Sequence, residues 1–540
     1  MNFKENLLSE KLLFALISLV YLLGLFIPVM ENDSAQHATM AMDIFQRNDF
    51  SHLFKGFQPY LDKPHLHFWL AALSFKIFGL HAWSYRIPAL LFTALSAISC
   101  YKLALIFYSK KAARYASLIF LSGQAVILSN HDVRTDAVLT GATIFAVWQL
   151  VAYFNTEKLK NIIFGAIGLA MAFSSKGQLG VFVIATAVGV HLIQKNKLIA
   201  LFNWKVLIGL LVLLTTISPV LYAYYIQFGT QGIQFILWNQ SFDRMTGTGF
   251  GPKHIDHFFF FHTLLWAFLP WGILVYFAFY YKIKSFVKTR FKNSHNNELM
   301  TSIGVLLILI VISTSKSKLP HYLNSILPLV SVLMAGYLTR DNFKTKELKT
   351  IAYTQLVILT LVYIAAWALL LFVFPVNPIV LLLFLGVSFI MFYNIKAQNE
   401  IFKKLLHGSI LLSIALNLFL NATFYPNLLN YQSGIKASSL ISENNIPLNQ
   451  LYKIDNIHTW SLDFYSQRLT PTLTSTSSSE ELKGKWFYLE DKQYRSLIEK
   501  GVSFDEIYKI PHFRITKLTL KFLNPTTRPK TLRAYYLVKS

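Results

Sequence analysis

Residues 60–79, YLDKPHLHFWLAALSFKIFG, place an acid, a lysine and two histidines directly against an apolar run. Asp62 and Lys63 stand beside Pro64, and His65 and His67 follow before aromatic and aliphatic residues take over. Charged side chains are almost never fully buried in a soluble core unless they are paired. The mixture therefore indicates a helix that lies where an apolar layer meets a polar one.

The composition is that of a multi-pass membrane protein. Of 540 residues, 54% are hydrophobic and only 14% are charged, and apolar runs of about 20 residues recur along most of the chain. The net charge of +24 does not indicate nucleic acid, because Lys and Arg lie mainly in short links between apolar runs. The single cysteine, Cys100, lies inside such a run, which excludes an intramolecular disulfide and argues against a thiolate metal site.

Hydropathy predicts about thirteen transmembrane helices. The first is interpreted as a retained helix and not as a signal peptide, because no small-residue cleavage site follows it. Spans 161–174 and 178–194 are also compatible with a hairpin that enters the bilayer and returns. The predicted spans cover residues 11–30, 84–108, 112–130, 135–154, 161–174, 178–194, 205–227, 258–281, 299–315, 319–339, 351–374, 377–395 and 403–423.

Alternate links between the spans are basic, and by the positive-inside rule they face the cytoplasm. The remaining links then face outward, and they carry most of the polar residues that could act in catalysis or in ligand binding. These outward segments are 31–83, 130–136, 174–178, 229–257, 315–322 and everything after about residue 424.

The apolar runs stop after Pro426. We predict a transmembrane domain over residues 1–425, with 31–83 as its first outer loop, and a soluble α/β domain over 426–540. Three segments of this tail are predicted as strands and two as helices. The strands are LYKID, KWFYLE and LRAYYLVKS, and the helices are SGIKASSLISENN and DKQYRSLIEKG.

Loop 31–83 is predicted to hold two amphipathic helices at the membrane interface. The first begins near Asp33, where apolar residues recur every three or four positions, and the second follows Pro64. Asp33 and Asp62 thus stand at helix starts. Helix capping and a chemical role are equally compatible with that position.

These two motifs carry a resemblance. ENDSAQHATMAMDIFQRNDF followed by YLDKPHLHFWLAALSFKIFG resembles the first outer loop of the GT-C membrane glycosyltransferases. The branch is the one that contains 4-amino-4-deoxy-L-arabinose transferase and is related to protein O-mannosyltransferases. Asp33 matches the catalytic aspartate of that family, and Asp62, Lys63 and Pro64 match its Glu-Lys-Pro motif. Ser34 replaces the usual second acid, and His65 replaces a second proline.

The resemblance continues through the membrane part. DVRTDAVLT places Asp136 before the fourth span, SKGQLG carries Lys176, and SKSKLPHYL carries Lys318, His321 and Tyr322. The segment NQSFDRM is similar to an outer loop with an Arg-aromatic pair; it supplies Arg244, with Met245 where an aromatic residue is common. Several motifs in one order on one face are far more specific than any single motif.

The resemblance implies transfer of a sugar from a polyprenyl phosphate, dolichyl or undecaprenyl, outside the cytoplasmic membrane. Phosphate is a good leaving group, so the reaction needs positive charge beside it and one carboxylate as general base. We assign the base to Asp33, with inversion at the anomeric carbon. The expected donor-phosphate ligands are Lys63, Arg244, Lys318 and Lys176, and the expected supporting residues are Asp62, Asp136, His321 and Tyr322.

Other interpretations of these residues stay open. Lys176 and Lys318 are also placed as lysines that extend toward anionic headgroups. Five histidines on outward segments can either ligate a divalent ion or act as simple hydrogen-bonding groups, and no other cofactor is predicted. These histidines are His65, His67, His254, His257 and His321.

The predicted function is that of an inverting glycosyltransferase of the bacterial cytoplasmic membrane, with its active site and C-terminal domain in the periplasm. The acceptor is a lipid A-like or other glycolipid, or alternatively a protein. A transporter or flippase of lipid-linked sugars is the competing class. Transporters place charges near the bilayer midplane and show repeated halves, whereas here the charges lie at span ends and no repeat is visible.

Overall fold

The computed structural model describes residues 9–248, 255–288, 298–340, 343–398, 400–455, 457–474 and 479–540. The membrane part is an assembly of helices joined by short links. Its helices are α1 (Glu10–Gly24), α2 (Asp33–Arg47), α3 (Leu66–Phe78), α4 (Ala82–Phe107), α5 (Lys110–Leu121), α6 (Gln124–Leu128), α7 (Asp136–Thr156), α8 (Leu159–Lys176), α9 (Gln178–Gln194), α10 (Trp204–Gln234), α11 (Gln240–Thr246), α12 (Phe259–Ala267), α13 (Gly272–Lys288), α14 (Val305–Thr314), α15 (Leu327–Leu338), α16 (Thr345–Phe372), α17 (Pro378–Ala397), α18 (Ile401–Phe419) and α19 (Tyr425–Leu429).

Every predicted span overlaps a helix, but several helices are shorter or more broken than hydropathy indicates. The predicted span 258–281 is split into α12 and α13 around Pro270, which lacks the N–H that a continuous helix needs. Within the described residues, 7 helical segments are long and apolar enough to cross a bilayer. The mainly α, polytopic fold is confirmed, and the exact number of crossings stays a prediction.

Basic links gather at one end of the helix bundle, as their contacts with one another show. Arg114 in the first turns of α5 pairs with Glu10 at the start of α1. Other contacts at this end are Lys111 with Glu400, Lys197 with the carbonyl of Phe154, and Lys205 with the carbonyl of Glu157. The C-terminal domain occupies the opposite end, which we call the domain end.

At the domain end, the loop after α1 contains the two predicted helices, α2 and α3. Ala35, Ala38 and Met42 of α2 are fully buried, but polar residues of the same helix such as His37 and Thr39 are buried as well. The helix is therefore enclosed on more than the expected apolar face. A short hairpin joins the helices, formed by β1 (Phe54–Lys55) and β2 (Gln58–Pro59). The N-cap residues are Asn32 for α2 and His65 for α3, so neither Asp33 nor Asp62 is an N-cap.

The C-terminal domain is a five-stranded mixed sheet with short helices, in the strand order β4-β3-β5-β7-β6. β3 pairs in parallel with β4 and β5, and β7 pairs antiparallel with β5 and β6. All three predicted strands and both predicted helices are present. The elements are α20 (Ser433–Glu443), β3 (Leu451–Ile454), α21 (Trp460–Tyr465), β4 (Thr472–Leu473), α22 (Ser479–Leu482), β5 (Trp486–Glu490), α23 (Asp491–Glu499), β6 (Glu506–His512), α24 (Leu520–Leu523) and β7 (Arg533–Lys539). The division at residue 425 stays a prediction.

Helix α21 of this domain packs directly on α2. Trp460 and Phe464 join one apolar cluster with Ala35, Ala38 and Met42. The Thr39 hydroxyl donates to the carbonyl of Trp460 over 2.9 Å. The domain therefore covers α2 and fixes its position above the bundle.

Arg86, in the first turns of α4, ties the loops of the domain end together. Its side chain is fully buried, yet it has no carboxylate partner among the described residues. The guanidinium donates to five carbonyl groups, those of Leu25, Ile27, Pro28, Ala82 and His131. Three of these carbonyls precede α2, and His131 belongs to the loop before α7. One side chain thus fixes two loops that approach each other.

Replacing Arg86 with Lys should destabilise the protein strongly. An ammonium cannot reach the same carbonyls at once, and each buried polar group left unpaired costs about 1–3 kcal/mol. We expect a clear fall in the melting temperature of the purified protein in detergent. Arg495→Lys is the control, because Arg495 is exposed and pairs only with Asp491 on the surface. Equal melting temperatures for the two variants would contradict this role of Arg86.

Candidate functional site

Asp33 begins α2 and points toward the loop that precedes α7. Its carboxylate lies 2.8 Å from Nη1 of Arg134, while Nη2 of the same guanidinium lies 2.6 Å from Asp132. The Asp33 side chain is 53% exposed, whereas Arg134 is 21% exposed. Asp33 thus presents an accessible carboxylate whose direction is fixed by a largely buried cation.

Asp62 and Lys63 lie in the loop just before α3. The Lys63 ammonium is 2.8 Å from the Asp62 carboxylate. This loop is anchored from two sides: Gln240 of α11 donates to the carbonyl of Asp62, and the Tyr224 hydroxyl of α10 donates to the carbonyl of Leu61. The motif therefore holds a rigid place between α3 and the α10–α11 segment.

Asp136 and Lys176 form a buried ion pair at the end of α8 and the start of α7. Lys176 Nζ lies 2.5 Å from Asp136 Oδ1, and each side chain is only 4% exposed. The ammonium also stands 4.6 Å from the centre of the Tyr322 ring. Gly177 ends α8 directly after Lys176 with φ +64°, and a Cβ at this position would collide with Gln240. Glycine suits this turn because it adopts positive φ without strain.

Electrostatic interactions connect these pairs into one cluster. The charges of Asp136, Lys176, Arg134 and Lys63 all act on the His321 ring. Asp136 also acts on the Arg134 guanidinium, which contacts Asp33 directly. We call this set the charged cluster; its members are Asp33, Asp62, Lys63, Asp132, Arg134, Asp136, Lys176 and His321. It combines an accessible carboxylate with several cations at the domain end.

A cavity of about 320 Å³ opens beside Lys176 and Tyr322. One part of its wall is polar, with Gln178, Gln240, Ser241, Ser315 and Ser317. The other part is apolar, with Leu179, Phe182, Met245, Val311 and Ile312. This division suits a ligand that has a polar head and an apolar tail.

Lys318 and Arg244 are the two remaining predicted phosphate ligands. Lys318 is buried and donates to the carbonyl of Asp256 over 2.5 Å. Burial lowers the pKa of Lys318, against the charge of Asp256. Arg244 belongs to α11, which lines the cavity, but its side chain lies outside the described part of the chain. His254 lies outside the described residues as well.

The predicted histidine ligands do not assemble into a metal site among the residues that the structure describes. No group of three or more His, Cys, Asp or Glu side chains there is arranged to hold an ion. His65 packs against the rings of Trp69 and Tyr224, and His67 lies 3.3 Å from the hydroxyl of Tyr85. Both therefore contribute to the aromatic packing around α3.

Sequence reasoning missed Arg134, although it selected Asp136 two residues later. The available signal was an arginine between two acids in an outward link, DVRTD. It also missed Gln240, whose amide fixes the Asp62–Lys63 loop from a distant part of the chain. No local pattern announces such a contact.

Comparisons with known proteins agree with this architecture. A family model described as "Dolichyl-phosphate-mannose-protein mannosyltransferase" matches residues 62–223. The chain is 26% identical over 377 residues to an undecaprenyl phosphate-alpha-4-amino-4-deoxy-L-arabinose arabinosyl transferase of Pseudomonas savastanoi pv. phaseolicola, covering 65% of this chain and 67% of the relative. With the corresponding protein of Yersinia enterocolitica it shares 26% over 345 residues, covering 60% of this chain and 59% of the relative.

A solved structure extends the likeness over nearly the whole chain. ArnT from Cupriavidus metallidurans, bound to undecaprenyl phosphate, superposes with a TM-score of 0.75 at 14% identity and covers 98% of this chain and 97% of that protein. At this identity the likeness establishes the fold. The chain therefore has the GT-C fold and resembles the arabinose transferase and mannosyltransferase branch, as its motifs indicate.

The buried pair Asp136–Lys176 yields a stability prediction. Lys176→Met should lower the free energy of unfolding by about 3–5 kcal/mol, because it leaves a carboxylate buried without its cation. Asp136→Asn in the same chain should restore most of that loss, since the charge is then removed as well. Thermal unfolding of the single and double variants in detergent measures both effects. Additive losses in the double variant would contradict the pairing.

Proposed function

We propose that the protein is an inverting glycosyltransferase that moves a sugar from a polyprenyl phosphate to a glycolipid acceptor at the outer face of the bacterial cytoplasmic membrane. The observation that carries the proposal is the Asp33 carboxylate, accessible and oriented by Arg134, within a cluster that also contains Lys63 and Lys176. This arrangement supplies a base and several cations in the place where the resemblance predicts the reaction.

The donor is proposed to lie in the cavity beside Lys176. Its polyprenyl tail would contact the apolar wall formed by Leu179, Phe182 and Ile312, and its phosphate would lie toward Lys176 and Tyr322. Lys63 and Arg244 would complete the phosphate site, with Lys318 beyond it. ArnT was solved with undecaprenyl phosphate bound, which supports a carrier of this chemistry.

The reaction would then be a single displacement. Asp33 accepts the proton of the acceptor hydroxyl as the oxygen attacks the anomeric carbon. The bond from that carbon to the phosphate oxygen breaks at the same time, and both electrons leave with the phosphate. Preorganised cations stabilise the charge that grows on the leaving group. If the acceptor oxygen belongs to a phosphate that is already ionised, Asp33 orients it instead.

Asp62, Asp136 and His321 act as supporting residues in this proposal. Asp62 and Asp136 each hold a lysine of the cluster in place, Lys63 and Lys176 respectively. His321 lies in the field of the same charges. Their role is to fix the cations before the donor arrives, which lowers the reorganisation needed in the transition state.

The orientation follows from the distribution of charge. Basic links gather at the end opposite the C-terminal domain, and the positive-inside rule assigns that end to the cytoplasm. The charged cluster and the C-terminal domain would then face the periplasm. The matched family model, named for a protein mannosyltransferase, keeps a protein Ser or Thr as the alternative acceptor.

Replacing Asp33 with Asn should lower transfer by about 10²- to 10⁴-fold, because the amide cannot accept the proton. Mass spectrometry of host lipid extracts would compare the native gene, a deletion and the variant. We expect loss of a one-sugar increment on a glycolipid and accumulation of the polyprenyl-phosphate sugar in both defective strains.

Asp43→Asn is the matched control, because Asp43 lies on the same helix and pairs with Arg47 away from the charged cluster. It should leave the lipid profile native. An Asp33→Asn strain with the native profile would refute the assignment. Unchanged lipids in the deletion strain would instead redirect the search to protein acceptors.

Replacing Arg134 with Gln should lower the turnover of purified enzyme by about ten- to a hundredfold, the effect of losing a charge-assisted hydrogen bond worth about 1.5–3 kcal/mol. Arg134→Lys should recover part of the rate. Arg47→Gln is the matched control, since Arg47 at the end of α2 also bridges two acids, Asp43 and Asp49. Arg134→Gln should add little to Asp33→Asn if Arg134 acts through Asp33; full additivity would contradict that role.

A further inference from the structure

A second group of cations lies at the contact between the C-terminal domain and the β1–β2 hairpin. Lys55 Nζ lies 5.9 Å and Lys453 Nζ 6.0 Å from the centre of the Trp460 ring. The His458 ring stacks on the same tryptophan, with 5.9 Å between ring centres. We call Lys55, Lys453 and His458 the basic cluster. Two chain segments far apart in sequence thus bring three basic side chains around one buried ring.

The acids around this cluster offset its charge without direct ion pairs to its lysines in the described part of the chain. Among the described residues, neither Lys55 nor Lys453 has a carboxylate oxygen within 4.0 Å. The acid that faces Lys453 is Asp463, which is buried and accepts hydrogen bonds from Thr459 and Thr470. The acid that faces His458 is Glu490, which accepts a hydrogen bond from the Tyr535 hydroxyl. Lys453 Nζ also donates to the Thr459 hydroxyl over 3.2 Å, so Asp463 offsets part of the charge of Lys453.

The electrostatics agree with close approach of the three groups. Burial lowers the pKa of His458, and the charges of Lys55 and Lys453 lower it further against the charge of Glu490. Burial also lowers the pKa of Lys453. The two ammonium groups held near one ring repel each other, and an anion bound beside them would offset that repulsion.

The position of the basic cluster relative to Asp33 favours an anion of the acceptor over the phosphate of the donor. Trp460 contacts α2 at Thr39. Thr39 is six positions after Asp33, so the two residues are about 9 Å apart along the helix axis. A donor phosphate must adjoin the reacting carbon next to Asp33, so it cannot also reach this far. An acceptor headgroup, by contrast, extends away from the reacting oxygen.

We propose that the basic cluster binds an anionic group of the acceptor, a phosphate or a carboxylate, that lies away from the oxygen that reacts. This inference rests on the proposed function and adds to it a site that selects charged acceptors. Lys55 approaches from the hairpin that leads to Lys63, and Lys453 approaches from the domain. Acceptor binding would therefore bridge the two.

The first measurement uses the purified full-length protein in detergent and lysine acetylation read by peptide mass spectrometry. Lipid A, which carries two phosphates, is one probe and inorganic phosphate is the other. We expect lipid A to slow acetylation of Lys55 and Lys453 several-fold and to leave Lys492 unchanged. Protection by inorganic phosphate but not by lipid A would show a site for free anions and would contradict acceptor binding. Protection by neither probe would overturn the proposal.

The second measurement is the affinity for lipid A, phosphatidylglycerol and undecaprenyl phosphate. The double variant Lys55→Gln with Lys453→Gln should bind lipid A at least tenfold more weakly and the other two lipids as the wild type does. Lys492→Gln with Lys509→Gln is the control of equal charge on the same domain. An equal loss for phosphatidylglycerol would make the cluster a general membrane contact, and a loss for undecaprenyl phosphate would make it part of the donor site; either result contradicts the proposal.

These binding results are separable from the proposed function. The Asp33→Asn protein should bind lipid A with native affinity, and bound lipid A should protect the same lysines from acetylation. This variant should nevertheless fail to transfer sugar. Wild-type transfer by Asp33→Asn would refute the assignment of Asp33 and leave the anion site intact. Native lipid A affinity of the double lysine variant, together with normal transfer, would refute the anion site alone.

Discussion

The domain end depends on one buried guanidinium that binds main-chain carbonyls and, among the residues that the structure describes, no carboxylate. Arg86 donates hydrogen bonds to the carbonyls of Leu25, Ile27 and Pro28 in one loop and to that of His131 in another. The first loop leads into α2 and Asp33, and the second leads to Arg134. The Arg86 hydrogen bonds thus hold the two segments that carry Asp33 and Arg134, whose ion pair measures 2.8 Å. The charged cluster is therefore a consequence of backbone hydrogen bonding as much as of charge attraction.

The distribution of exposure within the charged cluster follows the same logic. A buried ion pair costs desolvation and stabilises a fold weakly, but it fixes its members in one geometry. Asp136 and Lys176 are both nearly inaccessible, whereas the Asp33 carboxylate is about half exposed. Buried pairs thus lie beside carboxylates that solvent or a substrate can reach, and Asp33 is the most exposed of those in the charged cluster. Such an arrangement separates the groups that hold the geometry from the group that can exchange a proton.

Much of the fold could be predicted from sequence, because hydropathy and helical periodicity are local. The helices of loop 31–83 and the strands LYKID, KWFYLE and LRAYYLVKS are present where these patterns place them. The breaks inside the span 258–281 escaped, since an average over a window does not register a local interruption. The site residues were found through a resemblance of ordered motifs, and their roles stay predictions. Gln240 was missed because its partner is distant in sequence, whereas Arg134 was missed although the local pattern DVRTD was available.

The C-terminal domain shows most clearly what sequence could not supply. Its separate composition indicates an appendage, yet its side chains complete the loop that carries Asp33. Gln432 binds the main chain of Val29 and Glu31, and Ser461 donates to the Glu31 carboxylate. Burial raises the pKa of Glu31, and the hydrogen bonds from Ser461 oppose that rise. The domain thus stabilises the ionised form of this buried carboxylate. Because Trp460 and Thr39 join the same contact, α2 is held between the bundle and the domain. A substrate that contacts both must therefore meet a single surface built from two parts of the chain.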